Sequence, residues 1–339
     1  MKELTKEAIY EYLSSLAKPV GSLGRWEELA VELCWIQQTL KPEVRPAEFL
    51  VFVGDHGIAA EGVTLWPSTI TTVMAEQIAA GGAVSAALSD EYGIRRRVID
   101  VGIKYPARLQ DSRLAVRPIR RGTDNLFHKP AMTLREFREC IDVGIDEARM
   151  ANIRGTKILL VGEMGIGNTT SASCLARLLA DVPIDELIGS GAGANESSLE
   201  KKKQVVETAT DRVLQRCGYE VDEAGMAEVA GFEIVAMAGC MIQAAKQGQV
   251  VLLDGTIATA AALIARKLDS DVVRSMIACH VSSEPSHGKM LQSLGLKPML
   301  DWSMRLGEGT GALALFPLLA GAAAWCQRTS RIEDLSVPE

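Results

Sequence analysis

Apolar and polar positions along this chain follow two periods. Residues 3–40 repeat on a helical spacing broken by Pro19 and Gly21, which predicts two helices joined by the turn Lys18-Pro-Val-Gly-Ser-Leu-Gly24. A short, almost wholly apolar run then appears, Glu48-Phe-Leu-Val-Phe-Val53, read as a strand ending in Gly54-Asp-His-Gly57. A helix is expected after Trp66-Pro67, running through Met74 to Ile78. Similar runs with abrupt polar or glycine ends lie at 97–102, 158–161, 250–254 and 276–279. Helical stretches separate them, so the pattern predicts an α/β fold: a parallel sheet with right-handed crossovers, flanked by helices. Asp55, His56, Asp100, Glu163, Asp254 and His280 all fall at the C-terminal ends of these strands, the edge where open α/β sheets bind ligands. The terminal segments carry no strand. They are expected to pack together as a small helical domain, 1–45 plus 312–339, beside a large α/β domain, 46–311.

Composition narrows the function classes. Hydrophobic residues make up 47% and aromatics 5%, so the core is aliphatic, as suits helices over a parallel sheet. Net charge is −7, and the basic runs Arg95-Arg96-Arg97 and Lys201-Lys202-Lys203 are too short to track a nucleic-acid backbone, so no nucleic-acid partner is expected. The seven cysteines are scattered and never form a Cys-x-x-Cys pair, which points to buried thiols in a reducing compartment. The N-terminus has no apolar signal core. The Ala-rich stretch 311–325 is too short for a span and is read as a buried helix, so a cytoplasmic protein without membrane contact is expected.

Chemistry concentrates in glycine-rich loops. Lys157-Ile-Leu-Leu-Val-Gly-Glu-Met-Gly-Ile-Gly-Asn-Thr-Thr-Ser171 is a strand breaking into a loop that opens a helix, with the carboxylate of Glu163 inside the loop. Unpaired N–H groups and the helix dipole at such a turn suit an anion, although a bare βα turn has the same glycines. Gly162 and Gly167 frame four residues as in a Walker A loop, and Thr169 stands at the Ser/Thr position, but Asn168 replaces the lysine. That leaves a cradle for one phosphate rather than a triphosphate. Gly189-Ser-Gly-Ala-Gly193, with Lys202 further into the following helix, is a second phosphate-suited loop or an ordinary helix start with a solvated basic turn. In Arg305-Leu-Gly-Glu-Gly-Thr-Gly-Ala312, Glu308 lies between glycines before an apolar run, a dry setting that raises a carboxylate's pKa and suits a general base; a helix-capping Glu is the alternative. Asp55-His56 reads equally as a loop-stabilising or a catalytic pair. His280, Glu284 and His287 have ligand-like spacing, but Pro285 interrupts them and no cluster completes a site; Ser282 is read as a hydroxyl donor to sugar or phosphate, and neither metal nor cofactor is expected.

Taken in order, these motifs resemble the nicotinate-nucleotide:dimethylbenzimidazole phosphoribosyltransferases, which make the lower-ligand nucleotide of cobamides. The resemblance runs from about residue 16 to 325, through Lys-Pro-Val-Gly-Ser-Leu-Gly, Val-Gly-Asp-His-Gly-Ile-Ala-Ala-Glu-Gly-Val, Arg-Gly-Thr-Asp-Asn, Gly-Glu-Met-Gly-Ile-Gly-Asn-Thr-Thr, Leu-Asp-Gly, His-Val-Ser-Ser-Glu and Arg-Leu-Gly-Glu-Gly-Thr-Gly-Ala. It implies a Rossmann-like sheet with a helical domain formed by both termini, and a dimer with its active site near the interface. It implies Glu308 as general base and Glu163 as a second carboxylate at the acceptor. Gly165, Gly191, Gly193, Lys202 and Ser282 match positions that hold nicotinate mononucleotide, and Asn168, Thr169 and Gly307 stand in the same loops.

Departures fall where the acceptor would bind. The family's usual Ser-x-Tyr-Pro-Gln is Thr64-Leu65-Trp66-Pro67-Ser68 here, so Thr64, Trp66 and Ser68 mark an acceptor pocket of altered polarity and shape. The usual Gly-Arg-Gly-Thr-Gly is Gly189-Ser-Gly-Ala-Gly193, and the customary Met-Ala-Thr-Phe near the C-terminus is absent. An acceptor other than dimethylbenzimidazole follows as an expectation. Relatives that use phenol or p-cresol work as paired, non-identical subunits, so the partner is a second copy or a paralogue. Two alternatives stay open: a weakly active or non-catalytic subunit of such a pair, and a P-loop-like nucleotide hydrolase with 250–254 as its Walker B strand.

Overall fold

The computed structural model describes residues 3–188 and 196–335. Strands β1 (Ala47–Gly54), β2 (Arg95–Gly102), β3 (Leu114–Val116), β4 (Ile158–Met164), β5 (Val250–Leu253) and β6 (Met276–Ala278) form one parallel sheet in the order β3-β2-β1-β4-β5-β6. This is the doubly wound order expected of a Rossmann-like fold. The central strands β1, β4 and β5 read as nearly continuous apolar runs because both faces of the sheet are covered there. Leu50 and Phe52 of β1 point into a cluster with Phe137, Leu175, Val235 and Leu263, whereas Phe49, Val51 and Val53 point into one with Ile9, Leu33, Leu313 and Phe316. On the first face the helices Leu134–Ile153 and Phe232–Lys246 touch backbone to backbone. A Cβ added to Gly144 would lie 1.9 Å from the Ala236 carbonyl oxygen, and one on Gly239 2.2 Å from that of Ile141.

The second face is covered by the chain's two ends together with helices Thr69–Ala80 and Val84–Glu91. Helix Arg25–Gln37 packs against helix Thr310–Arg328, with Trp26 edge-on to Trp325 at 6.5 Å and the thiols of Cys34 and Cys326 3.7 Å apart. Six of the seven cysteines are buried, and all are free thiols. Helix Thr310–Arg328 is long and apolar enough to cross a membrane, but Leu313, Phe316, Leu319 and Cys326 are buried against the sheet face, as in a core helix.

Two boundaries differ from the sequence expectation. β3 is an edge strand of three residues, two half-exposed and Val116 exposed, too short and too wet to show a period. β4 continues through Glu163 to Met164, with Gly162 opposite Val51 and Glu163 opposite Phe52 of β1. Glu163 therefore belongs to the strand rather than to the loop.

At the opposite end of the strands, the buried Glu48 carboxylate takes a two-pronged ion pair from Arg154, at 2.7 and 2.6 Å, and a hydrogen bond from Thr156 Oγ1 at 2.8 Å. Removing the carboxylate strands the guanidinium at a site where water reaches it only in part. Glu48→Ala is expected to cost about 2–3 kcal/mol, read as a lower urea midpoint at unchanged slope.

Candidate active site

Where β4, β5 and β6 end, the sheet opens into a cavity of about 470 Å³. Its walls are Trp66, Ile70, Met74, Met164, Ile166 and Leu306, and its polar groups include Glu163, Asn168, Thr169, Asp254, His280, Ser282 and Glu308. Gly165 and Gly307 line it as well. Mostly apolar walls with a few convergent polar groups are the usual build of a small-molecule site.

The carboxylates are set by interlocking glycines. A Cβ on Gly162 would come within 2.9 Å of the Glu308 carbonyl carbon and the Gly309 nitrogen, and one on Gly309 within 2.3 Å of the Phe49 ring. The turn at Gly307-Glu308-Gly309 can therefore sit directly on β4. φ is +80°, +57° and +74° at these three residues, so Glu308 is a non-glycine residue held in the left-handed region, at a cost of about 1–2 kcal/mol. Its side chain is buried and Oε2 accepts a hydrogen bond from Ser85 Oγ at 3.0 Å. Burial, opposed by Ser85 and reinforced by the Asp254 charge, raises its pKa above the usual 4.5.

Glu163 is buried as well. Burial, with the charges of Glu233 and Asp254, pushes its pKa up to about 8, although the Glu308 backbone N–H donates to it. Asn168 Nδ2 also donates to Glu163 Oε2. The residue standing where a P-loop has its lysine thus spends its amide on the neighbouring carboxylate.

Helix Asn168–Ala180 starts at Gly167, whose φ is +98°. The Ser282 loop is fixed by His287: its Nδ1 accepts the Ser282 N–H at 2.8 Å, and its Nε2 pairs with Thr259 Oγ1 at 2.9 Å. Burial, with a smaller effect of the nearby His280, pushes the His287 pKa down to about 3, so the ring is neutral. Both ring nitrogens are spent on holding the loop. His280 differs: burial would lower its pKa, but the hydrogen bond and charge of Asp254 outweigh this and leave it raised.

The structure also separates residues that the sequence grouped. His56 lies away from the cavity, bonded through Nδ1 to Ser171 Oγ at 3.1 Å and through Nε2 to Glu233 at 2.6 Å. Asp55 accepts from the Lys104 N–H, and Asp100 from those of Gly102 and Ile103. These pairs hold loops in place. In the acceptor segment only Trp66 reaches the cavity. Thr64 Oγ1 accepts the Trp66 N–H at 3.3 Å, and Ser68 precedes helix Thr69–Ala80, so neither of them lines it. Lys202 is buried behind the wall, where desolvation lowers its pKa against the pull of Glu284, a cavity residue. Gly191 and Gly193 lie outside the described residues. Sequence reasoning gave no role to Ser85 or Arg305; Ser85 sits 223 positions from the carboxylate it holds, with no local signal to reveal it.

A doubly wound sheet with a carboxylate-bearing, largely apolar cavity at its C-terminal edge defines an α/β enzyme of small molecules. Residues 1–337 match the model of a family described as Phosphoribosyltransferase, and the chain belongs to that family. It is 38% identical to the nicotinate-nucleotide--dimethylbenzimidazole phosphoribosyltransferase of Ralstonia nicotianae over 329 residues, 96% of this chain and 92% of that one. The enzyme of the same name from Dechloromonas aromatica is 35% identical over 336 residues, 98% of this chain and 95% of the relative. The crystal structure of CobT from Thermus thermophilus superposes with a TM-score of 0.92 at 35% identity, covering 98% of this chain and 99% of the other.

Proposed function

We propose that this enzyme transfers the phosphoribosyl group of nicotinate mononucleotide to an aromatic acceptor, giving an α-riboside phosphate and nicotinate. The observation that carries this reading is the pair of buried carboxylates, Glu163 and Glu308, on one apolar cavity. Nicotinate on C1 of ribose is a cationic leaving group, so the glycosidic bond is already weakened, and nicotinate departs with the bonding electron pair on its ring nitrogen, which becomes neutral. The acceptor atom attacks C1 from the opposite face, its proton passes to Glu308, and the configuration inverts. The protein's work is alignment and the exclusion of water that would otherwise take the sugar.

Glu308 takes the role of base because Glu163, with a pKa near 8, holds its proton at neutral pH. Glu163 then acts as a neutral hydrogen-bonding wall at the acceptor. Ser282, Gly165, Thr169 and Asn168 line the donor side, with Lys202 behind them as the cation for a phosphate.

For the acceptor, we propose a phenol in preference to dimethylbenzimidazole. Support comes from the wall itself: Trp66, Ile70, Met74 and Leu306 bring no side-chain amide toward a second ring nitrogen. A second subunit is proposed on the neighbouring surface, where Val84, Trp302, Leu306 and Leu318 are exposed beside the cavity mouth. A cytoplasmic location fits the seven free thiols.

One experiment tests these points. The purified chain is incubated with nicotinate mononucleotide and an equimolar mixture of phenol, p-cresol, adenine and dimethylbenzimidazole, and products are resolved by mass. Phenolic ribosides are expected to dominate. Preference for dimethylbenzimidazole removes the phenol assignment, and turnover only after a paralogous subunit is added identifies a heterodimer.

A further inference from the structure

Glu308 needs its left-handed backbone held against its own preference, and three amides after Leu306 show what holds it. The Glu308 N–H goes to the Glu163 carboxylate. The Gly309 N–H donates to Asp254 Oδ2 at 3.0 Å, and the Gly311 N–H to Asp254 Oδ1 at 2.6 Å. Asp254, buried, is the residue that follows β5, so its backbone is fixed by the sheet. The imidazole of His280, the second residue after β6, lies with Nε2 3.5 Å from Asp254 Oδ1. A Cβ on Gly311 would fall 2.0 Å from His280 Cδ2 and 2.7 Å from Asp254 Oδ1, so the glycine is what lets this helix start reach the carboxylate.

The geometry points to Asp254 as a positioning residue for Glu308: it grips the amides on the C-terminal side of the turn, with His280 as its partner, and thereby sets where the Glu308 carboxylate lies. The inference rests on the reading of Glu308 as the base. Both Asp254 oxygens face N–H donors at the start of helix Thr310–Arg328, where unpaired amides and the helix dipole favour an anion. An amide side chain there would turn an NH2 group toward one of those N–H groups. The turn would relax, and a shift of about 1 Å in a reacting group is enough to cost about 10²-fold in rate.

The test is a double-mutant cycle of Asp254→Asn and Glu308→Ala, with kcat and the KM for nicotinate mononucleotide measured for each chain and product detected by mass. Asp254→Asn alone is expected to lower kcat by about 10²-fold with KM within about threefold of the starting enzyme. In the Glu308→Ala background the same substitution is expected to cost less than about threefold, because no base remains to be aimed. Equal losses in both backgrounds, or a loss expressed chiefly in KM, would overturn the assignment and give Asp254 a role on the substrate itself. A starting enzyme that transfers nothing, alone or with a paralogous subunit, would remove the reading of Glu308 and this role with it, whereas an active one with equal losses removes this role alone. Should Asp254→Asn melt before assay temperature, His280→Gln carries the same cycle: a drop in kcat of about tenfold is expected with Glu308 present and none without it.

Discussion

Glu308→Ala is expected to lower kcat by about 10³-fold while the protein stays folded and binds nicotinate mononucleotide with little change. The loss follows from chemistry: an attacking N–H or O–H must shed its proton, and the neighbouring Glu163 carboxyl already holds one at neutral pH. Folding is spared because alanine removes a buried carboxylate whose ionised form burial disfavours, and the turn is gripped through amides that the substitution keeps. Glu308→Gln, which preserves shape and the Ser85 contact, is expected to be as slow as alanine; near-normal turnover in either variant takes the base role from Glu308. The pH dependence has a definite sign. Because the pKa of Glu308 is raised, the base is lost as pH falls through a value above 4.5, so the acid limb of kcat is shifted upward from the free carboxylate's and vanishes in the Gln variant.

Glu163→Gln is expected to leave stability little changed at acid pH and to raise it at alkaline pH. In the unfolded chain Glu163 releases its proton near the ordinary 4.5, and in the folded chain near 8. Below the lower value both states are protonated and the group has no effect. Between the two, the unfolded state gains by ionising and the folded state does not, so stability falls as pH rises, and above the higher value the penalty is constant. Glutamine abolishes this slope. Relative to the starting protein, the variant should gain on the order of 5 kcal/mol between pH 4 and pH 9, as measured by urea unfolding at each pH. Parallel pH profiles for the two proteins would mean that Glu163 is ionised in the fold. The same proton bears on catalysis: ionising Glu163 adds a second negative charge beside Glu308 and the acceptor, so kcat/KM is expected to decline above about pH 8 and to lose that decline in Glu163→Gln.

How much of this was legible in the chain differs by element. β1 could be read from 48–53 because a strand buried on both faces needs apolar side chains at every position. β3 could not, since its three residues sit half exposed or exposed at the sheet edge. The glycines of the 162–169 and 307–311 loops advertised tight backbone, and most of the residues named from them line the cavity. Their reason was misread at Gly162: that glycine continues the strand and clears space for the Glu308 turn instead of making a loop. Asp55 and His56 illustrate the opposite case. Their types and position were right for chemistry, yet their partners, Glu233 at 177 positions from His56 among them, make them loop anchors.

Local physics thus determined the α/β alternation, the strand edge that carries polar residues, and the glycine turns, because periodicity and φ are properties of neighbours in the chain. Charge state and aim were decided only in three dimensions. Glu163 and Glu308 have the same side chain, and both are raised by burial, but Glu163 also lies near the charges of Glu233 and Asp254 while Glu308 keeps the Ser85 hydroxyl. Asp254 reaches Gly309 and Gly311 across 55 and 57 residues of sequence, a distance over which no local pattern operates. Desolvation and hydrogen-bond geometry depend on which groups the fold brings together, and that is set by the packing of the sheet rather than by any one segment.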